Sequence, residues 1–242
     1  MPILEVQAPT IKDTTGAGTT LAYASNVTAG SNLILGMRVG GAGGDQSTTV
    51  TGTGSETWVK AVHRFDAAFG YVDIWYKENT ASSGAYTVTV GYGVSTTCRL
   101  SIHEYSGLAI SSSVDQTNSG QGDSVPTSGY DITTLSANEL IFAVMGNQAV
   151  DTVSAEALYT LKVQNPAAPN TRMAVQDQIV SATGTYHGAF SETQDVGSSP
   201  RWVACIASFK AAGAVVGSGP ILTINRMEIP IPAIRRTQII MV

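Results

Sequence analysis

Few side chains in this sequence are suited to chemistry. Three histidines, His63, His103 and His187, are scattered along it, and none has a second histidine at metal-ligand spacing. With no H-E-x-x-H and no paired C-x-x-C, neither a metal nor a cofactor is expected. His103-Glu104 sets a base beside a carboxylate, the combination that general acid–base catalysis uses. Neighbours in a strand point to opposite faces, so this pair is read as solvated surface rather than as a cooperating dyad. For nucleophilic catalysis the elbow G-x-S-x-G is missing, and GGAGG at 40–44 lacks the Lys-Ser/Thr and the helix of a phosphate loop. Glycoside hydrolysis needs two convergent carboxylates; Asp66, Asp73, Glu78 and Glu104 are the candidates, and nothing favours any pair of them. Asp115, Asp123 and Asp131 share one polar stretch of the kind that offers oxygen ligands to calcium, without the D-x-[DN]-x-[DN]-G pattern.

The most suggestive binding feature is aromatic. In Tyr71-Val72-Asp73-Ile74-Trp75-Tyr76-Lys77 a period of two puts Val72, Ile74 and Tyr76 on one face and Tyr71, Asp73, Trp75 and Lys77 on the other. The first set reads as core and the second as semi-exposed. An exposed Trp75 flanked by Tyr71, Asp73 and Lys77 would stack on the apolar face of a sugar ring and bond its hydroxyls. Cross-strand packing or a subunit contact are the competing roles for the same ring. Trp58 and Trp202 read as core residues.

These residues sit in a chain of 242 residues, long enough for one large β domain or two small ones. Charged residues are 13%, against roughly a quarter in ordinary domains, while apolar content is 43% and Gly, Ser and Thr abound. Such a surface, hydrated by hydroxyls, suits an extracellular or virion β protein. The net charge of −5 argues against a nucleic-acid partner held by a basic face. No run of about 18 apolar residues could span a membrane, so no membrane partner is expected. The opening MPILEVQAPTIKD has no basic n-region and no continuous apolar h-region. A protein made in a host cytoplasm and released by lysis is therefore expected, although a chain trimmed of its signal would read the same. Cys98 and Cys205 each lie in an apolar strand pattern; a long-range disulfide is open to them, and two buried free thiols are expected.

Runs rich in Val, Ile, Thr and aromatics, separated by Gly/Ser/Asn/Asp clusters, predict an all-β chain. Strands are expected at 32–39, 57–65, 71–77, 86–92, 99–105, 139–145, 159–163, 172–180, 185–190 and 202–209. SSSVDQTNSGQGDSVPTSG is expected to be a loop. A weak internal repeat orders the strands: SNLILGMRV matches ANELIFAVM, TWVKAV matches LYTLKV, SSGAYTVTV matches ATGTYHGAF, and CRLSIHEY matches WVACIASF. The half-repeats cover about 20–108 and 130–210, within a β-sandwich expected over 1–210. The strings SNLILGMRV, IWYKENTASSGAYTVTVGY, LSIHEYSGL and WVACIASFK resemble glycine- and threonine-rich jelly-roll proteins of bacteriophage virions and bacterial surfaces, over about residues 20–210. The resemblance implies a jelly-roll-like antiparallel β-sandwich with binding or structural roles, and brings no catalytic residues with it.

The chain ends differently. Residues 211–219, AAGAVVGSG, read as a flexible linker, and 220–242 as an arm. Arg226, Arg235 and Arg236 against Glu228 give the tail a net +2, which leaves −7 on the body out of the total of −5. In an extended strand Pro230 and Pro232 remove donors from one edge, while Ile229 and Ile231 keep theirs on the other. Such a segment pairs along one edge only and ends a sheet without inviting a further strand. Its apolar residues Ile221, Leu222, Ile224, Met227, Ile229, Ile231 and Ile234, with Arg235 and Arg236, are the expected assembly contacts; folding back onto its own sandwich is the alternative. The expectation is thus a non-enzymatic structural protein of a phage-type virion, with homo-oligomeric and virion partners. An extracellular carbohydrate-binding module facing surface glycans is the alternative, and a polysaccharide-degrading enzyme the third reading.

Overall fold

The structure, a computed structural model, describes residues 1–41, 45, 48–81, 84–123, 130–194 and 201–213. The chain is all-β as expected: among the described residues there is no α-helix, and one 3-10 turn at Thr53–Ser55. Among the described residues fourteen strands follow in order: β1 (Leu4–Ala22), β2 (Asn32–Gly40), β3 (Thr49–Thr51), β4 (Val59–Asp66), β5 (Gly70–Lys77), β6 (Thr87–Ser106), β7 (Val114–Gly122), β8 (Ile132–Thr133), β9 (Glu139–Ala155), β10 (Thr160–Asn165), β11 (Thr171–Val180), β12 (Thr185–Tyr186), β13 (Phe190–Gln194) and β14 (Trp202–Lys210).

Two antiparallel sheets pack face to face. The first runs β1-β6-β2-β5-β4, with β3 also on β6; the second runs β10-β11-β9-β14-β7, with β13 also on β9. Each sheet comes from one half of the chain and both use the same plan. The path β6-β2-β5-β4 corresponds to β14-β9-β11-β10, and β1 and β7 are the matching edges. The repeated strings explain this: SNLILGMRV is β2 and ANELIFAVM enters β9, while CRLSIHEY closes β6 and WVACIASF is β14.

The central core lies between the sheets, where Ile34, Val72, Ile74 and Tyr105 meet Leu140, Phe142, Val175 and Phe209. Burial of each such side chain contributes about 1.5–3 kcal/mol relative to leaving it in water. Gly36 of β2 faces the same interior, and a Cβ there would lie 2.8 Å from Val144 Cγ2. The outer faces are packed as well. On the first sheet Leu35, Met37, Tyr71, Trp75 and Leu100 lie under Tyr23, Trp58, Tyr86 and Tyr92. On the second, Ile141, Met145, Trp202 and Ile206 lie with Tyr130 and Phe190. Curled sheets achieve this, because long strands bend instead of ending. The pairing of β1 with β6 shifts register between Gly16 and Gly18, after which the first part of β6 pairs with the end of β1 and with β3. Trp58 and Trp202 are thus core residues of the two halves, as expected.

Several strands differ from expectation. The segments 86–92 and 99–105 are one strand, β6, and β9 continues to Ala155. β1 and β7 were not expected as strands, and β7 occupies part of the stretch read as a loop. Both are edge strands rich in Thr, Gly, Gln and Asp, so their ladder bonds, not an apolar alternation, define them. The arm at 220–242 and residues 214–219 of the linker lie outside the described residues.

Candidate functional site

The residues proposed for sugar stacking gather on the outer face of the first sheet, but as core. Val72 and Ile74 point to the central interior, and Tyr71, Asp73 and Trp75 to the opposite side, as the period of two requires. That opposite side is not semi-exposed. Tyr71 and Asp73 are fully buried and Trp75 is 8% exposed, because the curled start of β6, with Trp58 and Val50, roofs the face. No aromatic face of this group is left for a sugar ring.

Asp73 is the hub of the cluster. Trp75 Nε1 donates to its Oδ2 at 3.0 Å, and Lys60 Nζ stands 3.3 Å from the same oxygen and 5.0 Å from the Trp75 ring centroid. His63 Nδ1 lies 2.5 Å from Asp73 Oδ1, and its Nε2 is 3.1 Å from Asp45 Oδ1. The bond to Asp73 raises the His63 pKa against the opposing effect of burial. A carboxylate orienting an imidazole is the geometry of a general base. Here Nε2 faces a second carboxylate, Asp45, so the ring bridges two carboxylates, with the Lys60 ammonium beside the buried one. Tyr71 shares a hydrogen bond with Thr48 Oγ1 at 2.8 Å, and burial raises its hydroxyl pKa. Lys77 turns elsewhere, donating to the Glu78 carbonyl at 2.8 Å and lying 3.9 Å from Glu56. Lys60 and His63 completed the cluster unforeseen, since only the pairing of β4 with β5 sets His63 opposite Asp73.

The other candidates disperse. His103 and Glu104 do point to opposite faces, but both are fully buried, not solvated. His103 bonds Ser101 Oγ at 3.0 Å and packs edge-on against Phe142, and burial lowers its pKa to about 3, so it is neutral. Glu104 accepts from Gln7 Nε2 at 2.5 Å and from the Thr28 amide at 2.7 Å. Asp66 accepts from the Ala68 amide and from Gln121, and Glu78 from the amides of Ser112 and Ser113. The three aspartates considered for calcium meet three different partners: Asp115 the Leu135 amide, Asp123 the Arg201 guanidinium and Asp131 the His187 ring. Cys98 and Cys205 are free thiols in two different cores, and burial raises both.

A second constellation has no counterpart among the sequence candidates. Arg38 of β2 and Arg99 of β6 are directly paired in the ladder, and Arg172 of β11 joins them from the opposite sheet around an open polar cavity of about 400 Å³. Thr96, Thr97 and the Gly40–Gly41 backbone complete its wall. Arg38 passes between the sheets over Gly146, where a Cβ would sit 2.6 Å from Arg38 Cγ, and its guanidinium lies 4.7 Å from the Phe69 ring centroid. The available signal was a charge inside an otherwise apolar run, in SNLILGMRV and in CRLSIHEY. Comparison with protein-family models, curated proteins and solved structures finds no match to this chain.

Proposed function

We propose that the protein is a non-enzymatic structural protein of a phage-type virion, a capsid decoration, head-fibre or tail-associated sandwich that assembles through its C-terminal arm. The observation that carries this reading is the contrast between body and tail. The body commits Asp73, His63, Glu104 and Tyr71 to its own packing. The tail has the opposite charge sign and a proline pattern that leaves one edge free to pair. The resemblance to phage and bacterial-surface jelly-roll proteins adds to it.

Two features of the body support the same reading. Ala211 to Gly213, the last described residues, leave β14 beside a cavity of about 470 Å³ whose wall includes Met1, Ile179 and Val180. Edge strand β1 carries exposed Leu4, Val6 and Ile11, apolar side chains that a neighbouring subunit would cover. An added strand gains backbone bonds along one edge and buries its isoleucines, while its arginines meet acidic body surface. Burying five such side chains at about 1.5 kcal/mol each contributes about 7.5 kcal/mol toward the cost of ordering the segment.

Deleting residues 220–242 tests the proposal. A folded sandwich by circular dichroism that has lost its assembled mass by light scattering is expected. Unchanged mass would sink the assembly role, and loss of the β signal would assign the tail to its own subunit's core.

A further inference from the structure

Arg38, Arg99 and Arg172 converge on one cavity in a chain whose net charge is negative. Arg38 and Arg99 stand directly opposite one another on adjacent strands, a like-charge placement that weakens a sheet. Arg38 is 6% exposed and Arg99 9% exposed, and the Nε of each is buried without a hydrogen-bond partner. Among the described residues one carboxylate pairs with the group: Asp13 Oδ2 lies 3.2 Å from Arg99 Nη2, on a side chain that is 41% exposed. Arg172 Nη1 donates to the Gln148 carbonyl, which carries no charge. Burial, together with Arg99 and Arg172, lowers the Arg38 pKa to about 10, so its guanidinium remains cationic at neutral pH. A sheet that keeps a buried, unpaired guanidinium beside two more is costly unless a counter-charge occupies the cavity.

We propose that this cavity binds a tetrahedral oxyanion of the phosphate or sulfate class, held by the three guanidinium groups with Thr96 and Thr97 at the rim. Guanidinium forks match such oxygens in pairs, and a doubly charged anion balances what Asp13 leaves unmet. Arg172 comes from the opposite sheet, so the anion would also tie the two halves together. The site is complete within one chain and does not depend on the assembly reading.

Calorimetric titration of the full-length protein with inorganic phosphate, at ionic strength held constant with chloride, tests it. Wild type is expected to bind phosphate saturably, and Arg172→Gln to weaken it roughly tenfold or more. Arg38→Met should abolish binding while retaining the native circular dichroism, because an unpaired buried charge is exchanged for an apolar chain of similar length. If Arg38→Met does not fold, Arg172→Gln and Arg99→Gln carry the test. Glycerol 3-phosphate distinguishes the sources: tighter binding than inorganic phosphate assigns the group to a larger ligand, and equal binding to the free ion. No saturable heat above the chloride control, or equal phosphate affinity in wild type and the arginine variants, overturns the proposal.

Discussion

Replacing Trp75 with alanine separates a buried ring from a binding platform. At 8% exposure the ring is almost wholly removed from water. An aromatic side chain buries about 150–250 Å², which at about 25 cal/mol/Å² corresponds to roughly 4–6 kcal/mol of transfer free energy. Truncations of buried aromatics cost about 3–5 kcal/mol. The substitution also strips Asp73 Oδ2 of its 3.0 Å donor, although Lys60 remains near. Trp75→Phe isolates that second part: most packing survives, one donor is lost, and about 1–3 kcal/mol is expected. Urea unfolding followed by far-ultraviolet circular dichroism reads both variants, with a midpoint shift on the order of 1–2 M for Trp75→Ala. A Trp75→Ala protein within about 0.5 kcal/mol of wild type, the range of ordinary surface changes, would refute the packing account and restore the ring as a ligand platform.

Stability should decline from pH 6.5 to 8. Burial pushes Glu139 up to about 7 and, with help from Asp151, Glu192 up to about 8, so the folded state holds more protons than the unfolded chain above the ordinary carboxylate value of 4.5. His63, raised by Asp73, acts in the same direction, whereas His103, lowered to about 3, removes stability only as the pH falls below 6.5. The slope is on the order of 1 kcal/mol per pH unit, and Glu192→Gln should flatten it in pH-dependent urea melts; a slope unchanged by Glu192→Gln would count against the burial argument. Gly36→Val should cost about 1–3 kcal/mol or more in the same assay, since its first side-chain carbon already meets Val144 at 2.8 Å. Gly84→Ala, where a Cβ has nothing within 4 Å, is the silent control.

The sequence makes the layer plan readable where strands are buried on both sides. Residues 32–39 and 202–209 are near-continuous apolar runs because both of their faces are packed, and the matched strings order them into two equivalent sheets. The faces of 71–77 also follow from alternation, but their burial does not. What covers Trp75 is the start of β6 together with Trp58 and Val50, and that curl depends on a register shift at Gly16–Gly18. β1 and β7 escape pattern reading for a related reason: an edge strand is defined by the partner it bonds. The arginine cavity is the least legible feature. Arg38 and Arg99 are 61 positions apart and meet only through the β2–β6 register, and Arg172 arrives from the other sheet.

Photo-crosslinking from a reactive residue in place of Ile229 tests the central claim most directly, in a mixture of isotopically light and heavy subunits. Assembly through the arm predicts crosslinks that join light to heavy chains, with a native mass that is a multiple of 25.1 kDa. Crosslinks confined to single chains, with a native mass of 25.1 kDa, would contradict it.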